Sequence, residues 1–495
     1  MLPSLKMSWR RVETDWLLIA TCLLVSSLGV FASAVRADLP QRPNIILVMA
    51  DDMGWGQTGY RGHPVLKTPH LDAMAAAGLR FERFYAGSAV CSPTRASVLT
   101  GRSPDRTGVL THGYALRHQE RTLAQALQAA GYTTGHFGKW HLNGFKGPGA
   151  PVLPDDPYGP GKFGFDEWVS VTNFFDVDPL LSRQGQIEQF QGDSSEIVVA
   201  EAINFLDRHR GGGQPLLAVI WFGTPHSPFK ALPGDAAQFS GLNPASTNHY
   251  GELVALDRSI GTLRKSLRKM NLAENTLLVF CSDNGGLPGI QPDTVGGLRG
   301  HKASVYEGGL RVPGIMEWPG VIQPRITHFP ACTMDLFPTI ADLLQLPPEV
   351  CIQPVDGISL KPLFSAELAE RNQPIPFRFN QQLALIDNRF KIVRTMQGKP
   401  RTALFDLVQD PAEATDVSQQ FPEVFERLQV ELEKWNSSVD QSFAGKDYPA
   451  GQLTEPDPES VFWFDHPSYA KYLLEWENRW EFKSYLERVR RQNPQ

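Results

Sequence analysis

The chain alternates short, wholly apolar runs with longer segments of helical periodicity. Asn44–Ala50 (NIILVMA) is an unbroken apolar run that stops at Asp51-Asp52. A run with no polar alternation reads as a strand buried on both faces, as in the middle of a parallel sheet. Residues 216–222 and 276–281 repeat the pattern. Between them come helical stretches. One starts at Thr68-Pro69, where proline suits the first helical position, another spans 123–130 and stops at Gly131, and an amphipathic one spans 250–270. Strand and helix in alternation predict an α/β fold with a large, mostly parallel sheet sandwiched by helices.

After about residue 350 the texture changes. Segments 379–395 and 401–408 read as short antiparallel strands and 422–435 as a helix, which predicts a smaller C-terminal α+β domain. The expected division is a leader over 1–37, a catalytic α/β domain over 38–350, the α+β domain over 351–440 and an aromatic-rich extension over 441–495. In that extension Tyr469, Tyr472, Leu473, Trp476 and Trp480 fit one helical face, either packed on the body or free to stack sugars.

Composition narrows the reading. The 495 residues are 42% hydrophobic, enough for a large core. The net charge of -6 excludes nucleic-acid binding by general electrostatics, so an anionic ligand would need positive charge gathered locally. Lys6, Arg10 and Arg11 precede an apolar run over 16–32 and small residues near Ala34 and Ala37, which predicts a Sec-type signal peptide and a secreted or periplasmic protein. Cleavage after Ala37 removes Lys6, Arg10, Arg11, Arg36, Glu13 and Asp15, taking the charge from -6 to -8. Four cysteines remain, too few for a disulfide scaffold. Cys332 and Cys351 could form one bridge, Cys281 reads as a core thiol, and Cys91 stands apart.

The chemistry sits at strand ends, where open α/β sheets carry their ligands. Asp51-Asp52 and Ser282-Asp283-Asn284 both follow buried runs. Carboxylates with an amide oxygen favour calcium, and less so magnesium, over zinc. Cys91-Ser92-Pro93-Thr94-Arg95 opens a helix, whose N-terminus attracts anions.

Residues 91–102 (CSPTRASVLTGR) resemble the sulfatase signature around the cysteine oxidised to formylglycine, and 131–141 (GYTTGHFGKWH) the second signature. Lys302 with 305–313 (VYEGGLRVP), Thr224-Pro225-His226 and 404–411 also resemble that family, so the match runs over roughly 42–435. The chain is identified as a type I sulfatase of the alkaline phosphatase superfold. The resemblance implies that Asp51, Asp52, Asp283, Asn284 and residue 91, as formylglycine (3-oxoalanine), bind one calcium ion. It also implies that Arg95, Lys139 and Lys302 surround the sulfate, and that His141 and His226 move protons. Lys139, His226 and Lys302 are the expected substrate contacts. A maturase would make the aldehyde.

The residues agree with these roles. Thiolate is a poor match to a hard cation, whereas an aldehyde hydrate offers oxygen. One hydroxyl would attack sulfur, and the second, deprotonated, would expel sulfate and restore the aldehyde. His226, helped by Lys302, is expected to protonate the leaving group, and His141 to serve regeneration.

Two departures stand out. Thr94 replaces the commoner serine but keeps a hydroxyl, and Asn143 follows Leu142 where many relatives have glycine. Glu307-Gly308-Gly309 reads as structural, and His70, His112 and His301 as structural or rim residues. Residues 144–168, 173–176 and the tail are the expected specificity elements. The expected activity is hydrolysis of sulfate esters, of sulfated carbohydrates and also of aryl sulfates. The rivals are a formylglycine-dependent phosphonate or phosphodiester hydrolase, a zinc phosphohydrolase of the same superfold, and an inactive glycan-binding relative.

Overall fold

The computed structural model describes residues 42–396 and 398–492. The expected signal peptide lies outside the described residues. No described helix is long and apolar enough to cross a membrane.

The strands, in chain order, are β1 (Asn44–Ala50), β2 (Leu79–Tyr85), β3 (Thr133–Lys139), β4 (Phe145–Lys146), β5 (Glu167–Val171), β6 (Leu180–Arg183), β7 (Gln186–Gln189), β8 (Leu216–Trp221), β9 (Thr276–Ser282), β10 (Arg311–Glu317), β11 (Arg325–Thr327) and β12 (Ala331–Cys332). The large sheet runs β11-β2-β10-β9-β1-β8-β3-β5-β6-β7, with β12 on β2. Its centre, β9-β1-β8-β3-β5, is wholly parallel. All seven residues of β1 are buried, as an unbroken apolar run requires when helices cover both faces. The "mostly parallel" expectation needs one refinement. β10 runs antiparallel to both β9 and β2, and β6 and β7 are antiparallel to their neighbours. Short returns such as β6–β7 leave no room for a helical crossover, so they pair antiparallel.

The long helix begins six residues earlier than the apolar periodicity suggests, at Pro244–Lys269. Asn243 caps it, its side chain accepting from Ser246 N at 3.0 Å, and Pro244 takes the first position. Its polar first turn conceals the start from a hydrophobicity reading.

The smaller sheet is an antiparallel meander of β13 (Ile375–Phe379), β14 (Gln382–Asp387), β15 (Phe390–Thr395) and β16 (Arg401–Asp406). Alternate residues face opposite ways. Leu385, Ile392 and Leu404 meet Leu428 and Leu432 of the helix Pro422–Phe443. Phe377, Ile386, Val393 and Phe405 meet Tyr85, Val305 and Leu310 beside the large sheet.

The C-terminal extension departs from the single aromatic face. The chain forms Ala470–Trp476, turns, and restarts as Trp480–Gln492. Trp463, Tyr469, Trp476 and Phe482 bury themselves against Phe145, Ala150 and Leu180, with β17 (Val461–Phe462) pairing parallel to β4. Tyr472 stacks on Trp476 at 4.7 Å, and Trp480 lies apart under the Lys230 ammonium. Trp463 is fully buried and donates its Nε1–H to Pro148 O at 2.8 Å. Trp463→Ala is therefore expected to cost about 3–5 kcal/mol, read as a lower unfolding midpoint in urea. An unchanged midpoint would show that the extension adds nothing to stability.

Cys332 and Cys351 are both unpaired, against the bridge considered above; Cys332 is buried in the core and Cys351 is half-buried on another segment. Cys281 is buried as expected.

Candidate active site

The parallel register of β1 and β9 sets Ala50 against Ser282, so the acidic residues that follow each strand emerge side by side. Asp283 N bonds Ala50 O at 3.1 Å, Asp52 N donates to Asp283 Oδ1 at 3.1 Å, and Asn284 Nδ2 donates to Asp52 Oδ1 at 2.7 Å. Asp52 has φ of 69°, a left-handed backbone that aspartate tolerates better than most residues. Asp51, Asp52, Asp283 and Asn284 are all fully buried.

Cys91 is the first residue of the helix Cys91–Thr100, every residue of which is buried. The Thr94 hydroxyl has a structural role: Oγ1 accepts from Ser88 N at 3.0 Å and donates to Ser88 O at 3.1 Å, tying the approach to the helix start. Asn143, the other departure, donates to Asp156 Oδ2 at 2.7 Å and so braces the loop that follows.

Each carboxylate of the cluster has a close cationic partner, and Arg95 Nη2 also lies 3.9 Å from Asp51 Oδ2. Arg95 Nη2 lies 2.7 Å from Asp283 Oδ2, Lys139 Nζ 2.6 Å from Asp51 Oδ2, and Lys302 Nζ 2.7 Å from Asp52 Oδ1. Three negative and three positive groups cancel. The cluster alone therefore has no net attraction for an anion, and a divalent ion would supply it. The site fits such an ion. Asp51 Oδ1 and Asn284 Oδ1 are buried acceptors without a hydrogen-bond partner. Ligand atoms of Asp51, Cys91 and Asp283 lie within 4.8 Å of one another, as do those of Asp51, Asp52 and His226. Hard oxygens dominate the set. Burial, and then the nearby Asp51 carboxylate, push Asp283 up to about 6 despite Arg95, Lys139 and Lys302.

Burial also pushes the Cys91 thiol above its ordinary pKa, outweighing Lys139 and Lys302. An unmodified Cys91 is thus a neutral thiol at pH 7 and a weak nucleophile.

A cavity of about 650 Å³ opens onto Cys91, His112, His141, His226 and Lys302. Arg95, Lys139 and the carboxylates lie behind that wall, fully buried. His141 has both ring nitrogens unpartnered, with φ of 55°. His226 stacks on Phe174 at 4.5 Å. Its Nδ1 sits 2.6 Å from Ser227 O, which only accepts, so Nδ1 carries the proton and Nε2 is left 3.7 Å from Asp52 Oδ2. Burial, then Lys302 and Lys139, hold His226 well below the usual histidine pKa; burial, Lys139 and Arg95 do the same to His141. Burial opposes the charge of Lys302, but the acidic groups around it, Asp52 first, together more than offset it and the ammonium is held protonated.

His70 and His301 stand off the site, His70 packed over Gly261 and His301 at 3.4 Å from Asp293. His112, read as a possible rim residue, lines the cavity. The outer wall holds residues that no motif picked out singly: Lys146, Asn173 and Phe174, with Phe462, Glu481 and Tyr485 from the C-terminal extension. All six fall in stretches 144–168, 173–176 and the tail, which depart from a generic pattern.

A sequence model of the sulfatase family matches residues 43–346. The chain belongs to the sulfatase family. This sulfatase is 32% identical over 393 residues to N-acetylgalactosamine-6-sulfatase of Canis lupus familiaris, covering 72% of each chain. It is 33% identical over 377 residues to arylsulfatase A of Homo sapiens, covering 67% of this chain and 69% of that one. The solved structure of Ps i-CgsB in complex with k-i-k-neocarrahexaose superposes with a TM-score of 0.71 at 25% identity, covering 89% of this chain and 99% of that one. The sulfatase is accordingly an enzyme that hydrolyses sulfate esters, with the alkaline phosphatase superfold and the smaller C-terminal sheet anticipated above. Sulfatases generally use a metal ion and formylglycine, and the acidic cluster beside Cys91 is a possible place for both.

Proposed function

We propose that this sulfatase removes sulfate from sulfated carbohydrates, and from aryl sulfates, using formylglycine made from Cys91 and one calcium ion. The observation that carries this is the position of Cys91: a protonated thiol at a helix start, within 4.8 Å of Asp51 and Asp283 ligand atoms, opening onto a cavity edged by Lys302 and three histidines. Two comparisons support the substrate class, the N-acetylgalactosamine-6-sulfatase relative and the structure containing neocarrahexaose.

Asp51, Asp52, residue 91, Asp283 and Asn284 would hold the calcium. Bound there, the ion would supply positive charge for the sulfate oxygens and for an ionising hydroxyl. The hydrated aldehyde would supply the oxygen nucleophile that a buried thiol cannot. Lys302 holds its charge at the cavity wall and steadies the sulfonyl oxygens, with Lys139 and Arg95 adding to the field from behind. His226 turns Nε2 free while Nδ1 is fixed by Ser227. An arriving sulfate brings negative charge that counters Lys302 and Lys139, so the ring takes up a proton with substrate and delivers it to the departing alkoxide. His141, neutral and unpartnered, is the base for regeneration. A maturase acts before these steps. Export follows from the leader read over residues 1–37.

The test compares the sulfate and phosphate esters of one phenol, then screens sulfated saccharides for released sulfate, with matured enzyme. The sulfate ester is expected to give the higher kcat/KM, and at least one saccharide to turn over. A faster phosphate ester, or no release from any saccharide, would overturn the proposal.

A further inference from the structure

We propose that Lys146, seated at the Phe462 ring, is a second anion site in the cleft, so that the preferred substrate carries another negative group besides the sulfate removed. This rests on the sulfated-carbohydrate reading above and deepens it.

The argument begins with charge. Lys139, Lys302 and Arg95 each face a carboxylate at 2.6–2.7 Å. Lys146 shares the cavity wall with Cys91 and Lys302, yet among the described residues it has no carboxylate within ion-pair distance. Its Nζ lies 6.0 Å from the centre of the Phe462 ring. The carboxylate on the same wall, Glu481, is already paired with Arg479. A half-buried ammonium without a counter-charge, facing a cavity built for an anion, has its complement in the ligand.

The position of Lys146 is built rather than incidental. Lys146 and Phe462 are register partners of the β4–β17 ladder. Val461 N bonds Gly144 O at 3.0 Å, and Trp463 next to Phe462 is fully buried. The ammonium is thus carried on a short ladder anchored by an aromatic core, not on a free loop.

The surrounding groups suit a sugar. Asn173 is 6% exposed and lines the same cavity; its Nδ2 donates to Gly147 O at 2.7 Å, which fixes the amide orientation and leaves Oδ1 without a partner. A buried unpaired carbonyl calls for a donor, and a ring hydroxyl supplies one. Phe462 and Tyr485 offer flat apolar surface for a pyranose face. The second anion, on the same ring or the next, then meets Lys146. A sulfate ester and a uronate carboxylate share the required chemistry.

The test uses matured full-length enzyme and three matched saccharides: a monosulfated N-acetylhexosamine, the same ring with a second sulfate, and the same ring linked to a uronate. The wild type is expected to favour at least one doubly charged substrate by about tenfold in kcat/KM, the scale of one charge-assisted hydrogen bond. Which one it favours identifies the anion. Raising the salt should shrink the preference. Lys146→Met should bring the ratio to about one, and Lys146→Arg should keep most of it. A wild type indifferent to the second charge, or a preference that survives in Lys146→Met, overturns the inference and leaves the sulfatase reading standing. Failure on all three, with aryl sulfate still cleaved, instead removes the carbohydrate reading and the inference with it.

Discussion

Cys91→Ala is expected to lower sulfate release by at least about 10⁴-fold while the protein still folds. The chemistry predicts the size of the loss. The proposed nucleophile exists only as a derivative of this side chain, and alanine offers nothing in its place. The fold should survive because the change removes one sulfur atom from a helix whose other nine residues are buried and hold their contacts. The stability cost should be near the ordinary about 1 kcal/mol for a point mutation. Sulfate release, a thermal melt and peptide mass spectrometry decide the matter together. Wild-type protein made without a maturase should behave like the alanine variant, since burial keeps the thiol protonated. Near-normal turnover by either protein would remove residue 91 from the chemistry.

Removing the divalent ion should have the next largest effect, a loss of roughly 10³-fold or more, the upper range for one preorganised electrostatic contact. Three carboxylates and three cations balance within the cluster, so the pull on a sulfate ester depends on the added charge. Stability should move as well. An ion present at about 100 times its Kd stabilises the folded state by about 2.7 kcal/mol. Chelated enzyme should therefore melt lower, and calcium should restore both melting temperature and rate. Asn284→Ala is the more selective probe. It removes an orphaned ligand oxygen and leaves every charge in place. It should weaken the calcium-induced shift without the larger instability that follows from stranding a buried Lys139 or Arg95. Full activity in protein shown to be free of metal would contradict the assignment.

Lys302 illustrates how the site was only partly legible. Its motif context marked it for the site, but nothing in a linear sequence says that its ammonium clamps Asp52, 250 residues away. The same holds for Asp51 with Lys139 and Asp283 with Arg95. The residue types were foreseeable, and the pairing was not. Lys139 shows a second limit: its place in the signature does not tell that it lies fully buried against Asp51. The tail shows a third. Its aromatic spacing suggests one continuous face, but the helix breaks after Trp476, Tyr469 and Trp476 go into the core and Tyr472 packs against it.

By itself, the sequence determined what depends on neighbours in the chain. Buried strands follow from unbroken apolar runs, Asp51-Asp52 and Asp283-Asn284 sit where β1 and β9 stop, and Cys91 opens its helix. Tertiary structure alone decided which cation neutralises which carboxylate, and that residues near 146 and 462 share one wall. The physical reason is range: periodicity and capping act over a few residues, whereas charge pairing and aromatic packing act through space between segments that only the folded chain brings together.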